Sequence, residues 1–437
     1  MGMQVRSAGA ALKALIIGAI VLLLLIPLMM LSGLVSERTA LREHAYTRVA
    51  EGWGGSAVIG GPMLIVPTER TVTEDGNVRV VRCDLYLLPA ALDVKAELSL
   101  EPEPRRVGIY EAPVYLAHLQ LRGRFDLSEL KSQLARPGVT YLWERSRLRL
   151  PLSQVRSLRE VRRAVFADAP VRFGPGAAGV YRGVDAPVNL GSIAPAGASD
   201  FEFDVIVAGS RELSLLPLGG KTTVEVASNW PHPSFQGAFL PAERSIAPEG
   251  FSARWQVLEL NRPYAQTWWE SDVGEAQLLE SAFGVGLYQP IDAYQRGERA
   301  IKYASLFIAL TFLTFFAWEQ VAGIRIHPLQ YLLVGLALST FYLLLIALSE
   351  HIAFTAAYSI AAVALAALIG VYIAGALRSR ARGYGVGLAM SGVYALLYAL
   401  VLSEDYALLL GALVLFAALA AVMLVTRKVE WYGREPG

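Results

Sequence analysis

The sequence predicts a membrane α-helical bundle of six transmembrane helices, one leading and five trailing, with a large all-β, sandwich-like periplasmic domain between the first and second. Three observations predict it. Apolar runs lie at Ala14–Leu34 and, five times over, between Tyr303 and Val425; a long polar stretch separates them; and that stretch alternates with period 2. Each run approaches the roughly 20 helical residues that cross a hydrocarbon core of about 30 Å. Hydrophobic residues make up 54% of the chain and mean hydropathy is +0.42, above an ordinary soluble composition.

Arg6 and Lys13 precede the first run as the charged leader of a signal peptide would. Ala14–Leu34 exceeds the roughly 7–15 residues of a signal h-region, however, and Ser36-Glu37-Arg38 offers no small-x-small cleavage site. Residues 1–34 are therefore expected to form a cytoplasmic N-terminus and a retained first span. Residues 35–52 carry helix formers and no proline, so the helix is expected to continue outward as a stalk, with Arg38, Arg42 and Glu43 near the headgroups.

Residues 53–300 are expected to form the β-rich domain. Tyr115, Ala117, Leu119 and Leu121 alternate with polar neighbours, as do Phe201, Phe203, Val205 and Val207, and Phe251, Ala253, Trp255 and Val257. Asp75-Gly76 between Leu64–Val72 and Val78–Leu88 has the composition of a two-residue hairpin turn. Phe173–Ala198, rich in loop residues, is either a boundary between two β subdomains or a long surface loop.

The trailing spans, within 301–426, are placed at Tyr303–Ala317, Pro328–Leu348, Ile352–Leu377, Gly383–Ser403 and Tyr406–Val425. Their connections alternate: Arg325 and His327, then Ser349-Glu350-His351, then Arg378, Arg380 and Arg382, then Ser403-Glu404-Asp405, and finally Arg427-Lys428 in a tail over 427–437. Basic flanks resist translocation, so the arginine-bearing side is cytoplasmic, both termini are inside and residues 35–300 are periplasmic. Arg296, Arg299 and Lys302 run against this rule, which long translocated domains obey weakly.

Several function classes drop out. A net charge of +1 without a basic stripe gives no footprint for nucleic acid, and Cys83, the only cysteine, permits neither an intrachain disulfide nor a cysteine zinc cluster. His44, His118, His232, His327 and His351 show no metal-ligand spacing, so no metal or cofactor is expected. Ser349-Glu350-His351 has the residue types of a hydrolase triad, but consecutive helical residues point about 100° apart and cannot act as one. Gly54-Gly55, Gly60-Gly61 and Gly219-Gly220 lack the lysine of a phosphate loop and read as turns. Gly383, Gly387 and Ser391 repeat every fourth residue, a stripe for close helix packing. No ionisable residue falls mid-span, where an ion-coupled carrier needs one.

From Phe283 to Tyr358 the chain reads Phe283-Gly284-Val285, Pro290-Ile291-Asp292-Ala293-Tyr294, Arg299-Ala300-Ile301-Lys302-Tyr303, Glu319, Ile326-His327-Pro328-Leu329-Gln330-Tyr331, Phe341-Tyr342-Leu343-Leu344 and Leu348-Ser349-Glu350-His351. Upstream stand Gly61-Pro62-Met63-Leu64, Arg106-Val107-Gly108-Ile109-Tyr110, Trp230 with Pro233-Ser234-Phe235, and Phe239-Leu240-Pro241. These motifs resemble the CreD-type inner-membrane proteins, known as cell envelope integrity proteins, over most of the chain; Leu127–Ala198 carries no matching motif. The resemblance implies an inner-membrane protein tied to envelope stress, with altered tolerance to colicins and cell-wall antibiotics. It implies no catalytic residue.

The matched positions suggest two sites. Arg296, Arg299 and Lys302 would form a cationic collar at the outer headgroups, each worth on the order of 1 kcal/mol against anionic lipid, unless Asp292 pairs with Arg296 four residues on. Glu350 and His351, at the outer end of the third span, would dock the β domain or titrate as a pair, whereas Glu319, His327 and Pro328 mark the cytoplasmic face. Two functional classes follow. The first is a non-enzymatic envelope protein whose β domain binds or braces an envelope component or partner, with membrane lipids around its helices. The alternative is a carrier or flippase for an amphipathic molecule, which would line a cavity with Thr311, Thr314, Ser339, Thr340, Tyr342, Tyr358 and Tyr394.

Overall fold

The computed structural model describes residues 4–74, 77–101, 105–107, 110–127, 138–193, 197–287, 293–322, 326–376, 379–403 and 406–426. Asp75-Gly76, Asp292, Arg325, Arg378, Glu404-Asp405 and Arg427-Lys428 lie outside them. The chain divides into two compact units, Met1–Arg42 with Ile291–Gly437, and Glu43–Pro290.

The first unit is helical. Six long helices stand among the described residues: α1 Gln4–Trp53, α2 Ala293–Ala322, α3 Pro328–Ser349, α4 Phe354–Ala376, α5 Arg380–Leu402 and α6 Ala407–Thr426. Among the described residues four segments are long and apolar enough to cross a membrane, namely Leu12–Trp53, Pro328–Ser349, Phe354–Gly375 and Tyr384–Leu402. Helices α2 and α6 occupy the positions of the other two expected spans. The first helix runs unbroken through the expected stalk to Trp53, with Pro27 inside it. Helix α2 begins ahead of the apolar run, so Arg296, Arg299 and Lys302 ride on the helix itself and not on a flanking segment.

Burial follows helical periodicity. On α1 the buried residues Ile17, Leu24, Leu28, Leu31 and Val35 share one face, and most others are exposed. On α2 Ala300, Ala304, Phe307, Phe312 and Phe315 do the same. Between α3, α4 and α5 the interior is filled by aromatic rings: Phe341 packs on Tyr394 at 4.4 Å and on Tyr358 at 5.3 Å, and the Tyr358 hydroxyl donates to the Tyr394 carbonyl at 2.6 Å. Tyr342 is fully buried beside them.

The second unit is β-rich. Its largest sheet has eight strands, in the order Ala169–Pro170, Leu158–Phe166, Ala198–Ser210, Val114–Asp126, Ala91–Leu100, Lys221–Ser228, Gly250–Leu258 and Glu243–Ala247. All neighbours are antiparallel except Ala91–Leu100 with Lys221–Ser228. A seven-stranded sheet is built around Arg147–Pro151, Met63–Glu74 and Asn77–Leu87, and a four-stranded sheet around Glu212–Leu216 and Phe283–Leu287. The three alternating runs expected from sequence send their apolar residues into one core with Leu64, Val66, Leu148 and Leu150 of the second sheet and Leu213 and Val285 of the third. This is the sandwich-like packing that period 2 predicts when one face of each sheet is buried.

Phe173–Ala198 forms neither a subdomain boundary nor one long loop over its described residues. It supplies Gly183–Pro187, paired with Arg147–Pro151, and sends Val184, Val188 and Leu190 into the main core. Residues 63–74 serve two cores at once, because Met63 and Ile65 point away from Leu64 and Val66 into a second cluster with Tyr86, Tyr181, Tyr264 and Trp268.

That second cluster is tyrosine-rich, and burial there pushes phenol ionisation upward: Tyr181 to about 12, with Tyr86 and Tyr264 also raised. Each folded-state value lies above the unfolded one near 10. The corresponding stability is fully present below pH ~10 and is lost as pH climbs through the folded values, since the unfolded chain releases its protons first. Melting temperature is expected to hold flat from neutrality to pH ~9.5 and to fall steeply toward pH 12. Scanning calorimetry checks this, and a flat profile to pH 12 would contradict it.

Candidate functional site

Two gatherings of ionisable residues in the helical unit lie at the two ends of α3. The first gathering forms where α2 ends and α3 begins. His327 is the N-cap of α3, its Nδ1 accepting from the Leu329 N–H at 3.2 Å while its own N–H donates to Gln330 Oε1 at 3.0 Å. Pro328 follows at the first helical position, where its missing N–H costs nothing. Beside this turn, Glu319 is buried. Its carboxylate takes the Lys13 ammonium of α1, the Tyr331 hydroxyl at 3.1 Å and the Ile326 N–H at 3.3 Å. Lys13 also donates to the Ile326 carbonyl at 2.5 Å and lies 5.9 Å from the Tyr331 ring centre. One carboxylate therefore joins three helices.

The second gathering surrounds Glu350, the C-cap of α3. Its Oε1 accepts from the Tyr294 hydroxyl at 3.1 Å and lies 3.5 Å from Arg38 Nε of α1. Arg296 stands over the Phe354 ring at 5.7 Å, within cation–π range. Arg299 is half-buried, and Lys302 pairs with Glu298 at 2.9 Å, an exposed i,i+4 contact worth about 0.3–0.5 kcal/mol. His351 is exposed, its N–H closing on the Leu348 carbonyl at 3.0 Å. The structure thus brings Glu350 together with Arg38 and Tyr294 and leaves His351 outside that group; Asp292 is outside the described residues.

The two carboxylates mark the ends of one span. Tyr331 and Glu350 are about 28 Å apart at 1.5 Å per helical residue, close to the thickness of a bilayer core. Each end takes a cation from α1. Between the two ends, one turn beyond Tyr331, Leu24 of α1 seats on Gly335 of α3, where an added Cβ would meet Leu24 Cδ1 at 2.2 Å and the Phe312 ring at 2.8 Å. Helix α1 is thus fixed to the trailing helices at three heights: an ion pair, a close glycine contact and a second ion pair. Sequence reasoning placed Lys13 and Arg38 as topological charges and missed both pairings.

Three of the polar residues offered as a carrier lining are satisfied within their own helices, Tyr358 bonds across to α5, and the buried Tyr342 hydroxyl has no partner among the described residues. Thr311 donates to the Phe307 carbonyl at 2.8 Å, Ser339 to Gly335 at 3.0 Å and Thr340 to Leu336 at 2.8 Å. Among the described residues no group of three or more metal-ligating side chains converges.

A family profile described as Inner membrane protein CreD matches residues 9–432. The chain belongs to the CreD family. Inner membrane protein CreD of Escherichia coli (strain K12) is 35% identical over 427 residues, which cover 94% of this chain and 91% of that relative. Both helical-end clusters and the whole β-rich unit lie within the matched CreD span. Family membership makes this an inner membrane protein by homology, in keeping with its apolar helices.

The second buried charge cluster belongs to the β-rich unit and no sequence motif announced it. Arg149 has no exposed side-chain surface. Its Nε and Nη2 donate to the two Asp185 oxygens at 2.6 and 2.7 Å, while Nη1 and Nη2 reach the Tyr181 and Ala177 carbonyls at 3.0 and 2.6 Å. Arg147 bridges Asp84 and Asp185 alongside. The loop wraps so tightly that a Cβ on Gly179 would lie 2.4 Å from Arg149 Nη1. Burial is the largest single influence and works against the Arg149 charge, but the hydrogen bonds and charge of Asp185, with the Asp84 charge and Tyr86, together outweigh it and hold the guanidinium protonated.

Proposed function

We propose that this CreD-family chain is a non-enzymatic envelope protein with six spans and both termini in the cytoplasm. Its β-rich domain faces the periplasm and binds or braces an envelope component, and the helices serve as platform. The observation that carries this reading is the packing of the helical unit. Tyr342, Tyr358 and Tyr394, the side chains that a passage through α3, α4 and α5 would need to line, instead pack with Phe341 in a solid aromatic core. Ion pairs at both ends of α1 suit a rigid anchor better than a rocking carrier, which needs contacts that exchange.

The β-rich unit, by contrast, exposes apolar side chains suited to a partner: Leu240 is 73% exposed, Leu260 87% and Ile246 52%. A photo-reactive amino acid at Leu240, Ile246 or Leu260 in living cells is expected to capture a periplasmic or outer-leaflet component, whereas the same group at Tyr358 captures nothing. A phosphatase reporter at Gly220, active only when exported, supplies the topology. Capture of a lipid-linked molecule from Tyr358, or a reporter at Gly220 that is inactive, would overturn the proposal.

A further inference from the structure

Helices α4 and α5 pack closely, yet on their outer side they leave a groove of about 600 Å³. Its floor is made of small residues, Ala366, Gly370 and Ala374 of α4 with Gly387 and Ser391 of α5, so the helix backbones themselves form much of its surface. Val363, Val371 and Leu388 form apolar banks that are 69–77% exposed. Within a bilayer such a surface faces acyl chains.

Three features give the groove a direction. On α4 it runs from Val363 to Ala374 and on α5 from Ser391 back to Arg380, in each case about 16 Å at 1.5 Å per residue, the depth of one leaflet of a roughly 30 Å core. Its mouth carries Arg380, the only charged lining residue among the described ones, with Tyr384 one turn deeper. Arg380 is also the first residue of α5, and among the described residues Ser379 makes no side-chain capping bond to that helix. The partial positive charge of a helix start therefore adds to the guanidinium.

We propose that the groove between α4 and α5 binds an anionic phospholipid, one acyl chain lying along Gly370 and Gly387 and the headgroup phosphate meeting Arg380 and the start of α5. An apolar channel one leaflet deep, ending in a cation at headgroup level, is complementary to that molecule. A zwitterionic lipid would fill the channel but present its phosphate with a neutralising cation.

The test is lipid retention by the purified full-length protein, measured by native mass spectrometry after equilibration with phosphatidylglycerol or phosphatidylcholine. Phosphatidylglycerol should be retained preferentially, and the preference should fall as salt rises. Arg380→Gln should weaken phosphatidylglycerol retention about fivefold and leave phosphatidylcholine unchanged. Ala367→Phe, which fills the groove from its exposed bank, should weaken both while the melting temperature stays at the wild-type value. Equal retention of the two lipids by the wild type, or an Arg380→Gln variant that keeps the preference, overturns the proposal. So does efficient disulfide dimerisation of Ser391→Cys in the membrane, which would assign the groove to a second copy.

Discussion

Replacing Arg149 with alanine is expected to lower the stability of the β-rich unit by about 3–5 kcal/mol, the range measured when one partner of a buried ion pair is removed. The truncation leaves the Asp185 carboxylate, only 10% exposed, facing a cavity without its two Arg149 bonds and held by the more distant Arg147 and the Ala177 N–H. It also strips the Ala177 and Tyr181 carbonyls of their donor. For a unit of this size the loss corresponds to a fall in melting temperature of roughly 6–20 °C. Trp268 reports it well, since it stacks on Tyr86 at 5.8 Å and Tyr86 accepts the Val180 N–H of the same wrapping loop. The double variant Arg149→Met, Asp185→Leu should recover most of the loss, because replacing both charges with apolar groups of similar volume removes desolvation along with attraction. Unfolding of the full-length protein followed by tryptophan fluorescence distinguishes the outcomes. An Arg149→Ala protein that melts with the wild type would show that the guanidinium is dispensable.

The same residue shows where sequence reading stops. In Arg147–Pro151 the leucines at 148 and 150 face the main core, so alternation assigns Arg147 and Arg149 to solvent. The strand does turn them outward. A loop 28–32 residues further along then covers them, and nothing local in the chain encodes that covering. The runs 115–121, 201–207 and 251–257 were legible because their pattern is decided by one buried face, a property of each strand alone. The long apolar helices were legible from local composition in the same way, four of them among the described residues being long and apolar enough to cross a membrane. Which helix meets which was not, since Lys13 and Glu319 stand 306 residues apart and sequence gives each only a depth. The sequence assigned Lys13, Glu319 and His327 to one level, and Arg38 and Glu350 to the other, without revealing that Lys13 touches Glu319 and Arg38 touches Glu350.

That pairing makes the second large prediction, which is asymmetric. Lys13→Met leaves Glu319, with 6% of its side chain exposed, holding a charge supported only by the Tyr331 hydroxyl and the Ile326 N–H. The expected cost is about 3–5 kcal/mol, as for other uncompensated buried charges. Glu319→Leu leaves the ammonium of Lys13, which sits on a flexible stem at 18% exposure and is able to swing toward headgroups and water. Its cost should be smaller, about 1–3 kcal/mol, set by the orphaned Tyr331 hydroxyl and Ile326 N–H. The double variant should lie nearer the wild type than Lys13→Met alone, so that a double-mutant cycle yields a coupling of at least about 1 kcal/mol. The readout is thermal unfolding of the full-length protein in detergent, with protease access to the Ile326–Pro328 turn as a local measure. Equal costs for the two single variants, or additivity in the cycle, would mean that α1 is held by its apolar stripe, the Leu24–Gly335 contact and the Arg38–Glu350 pair without help from Lys13.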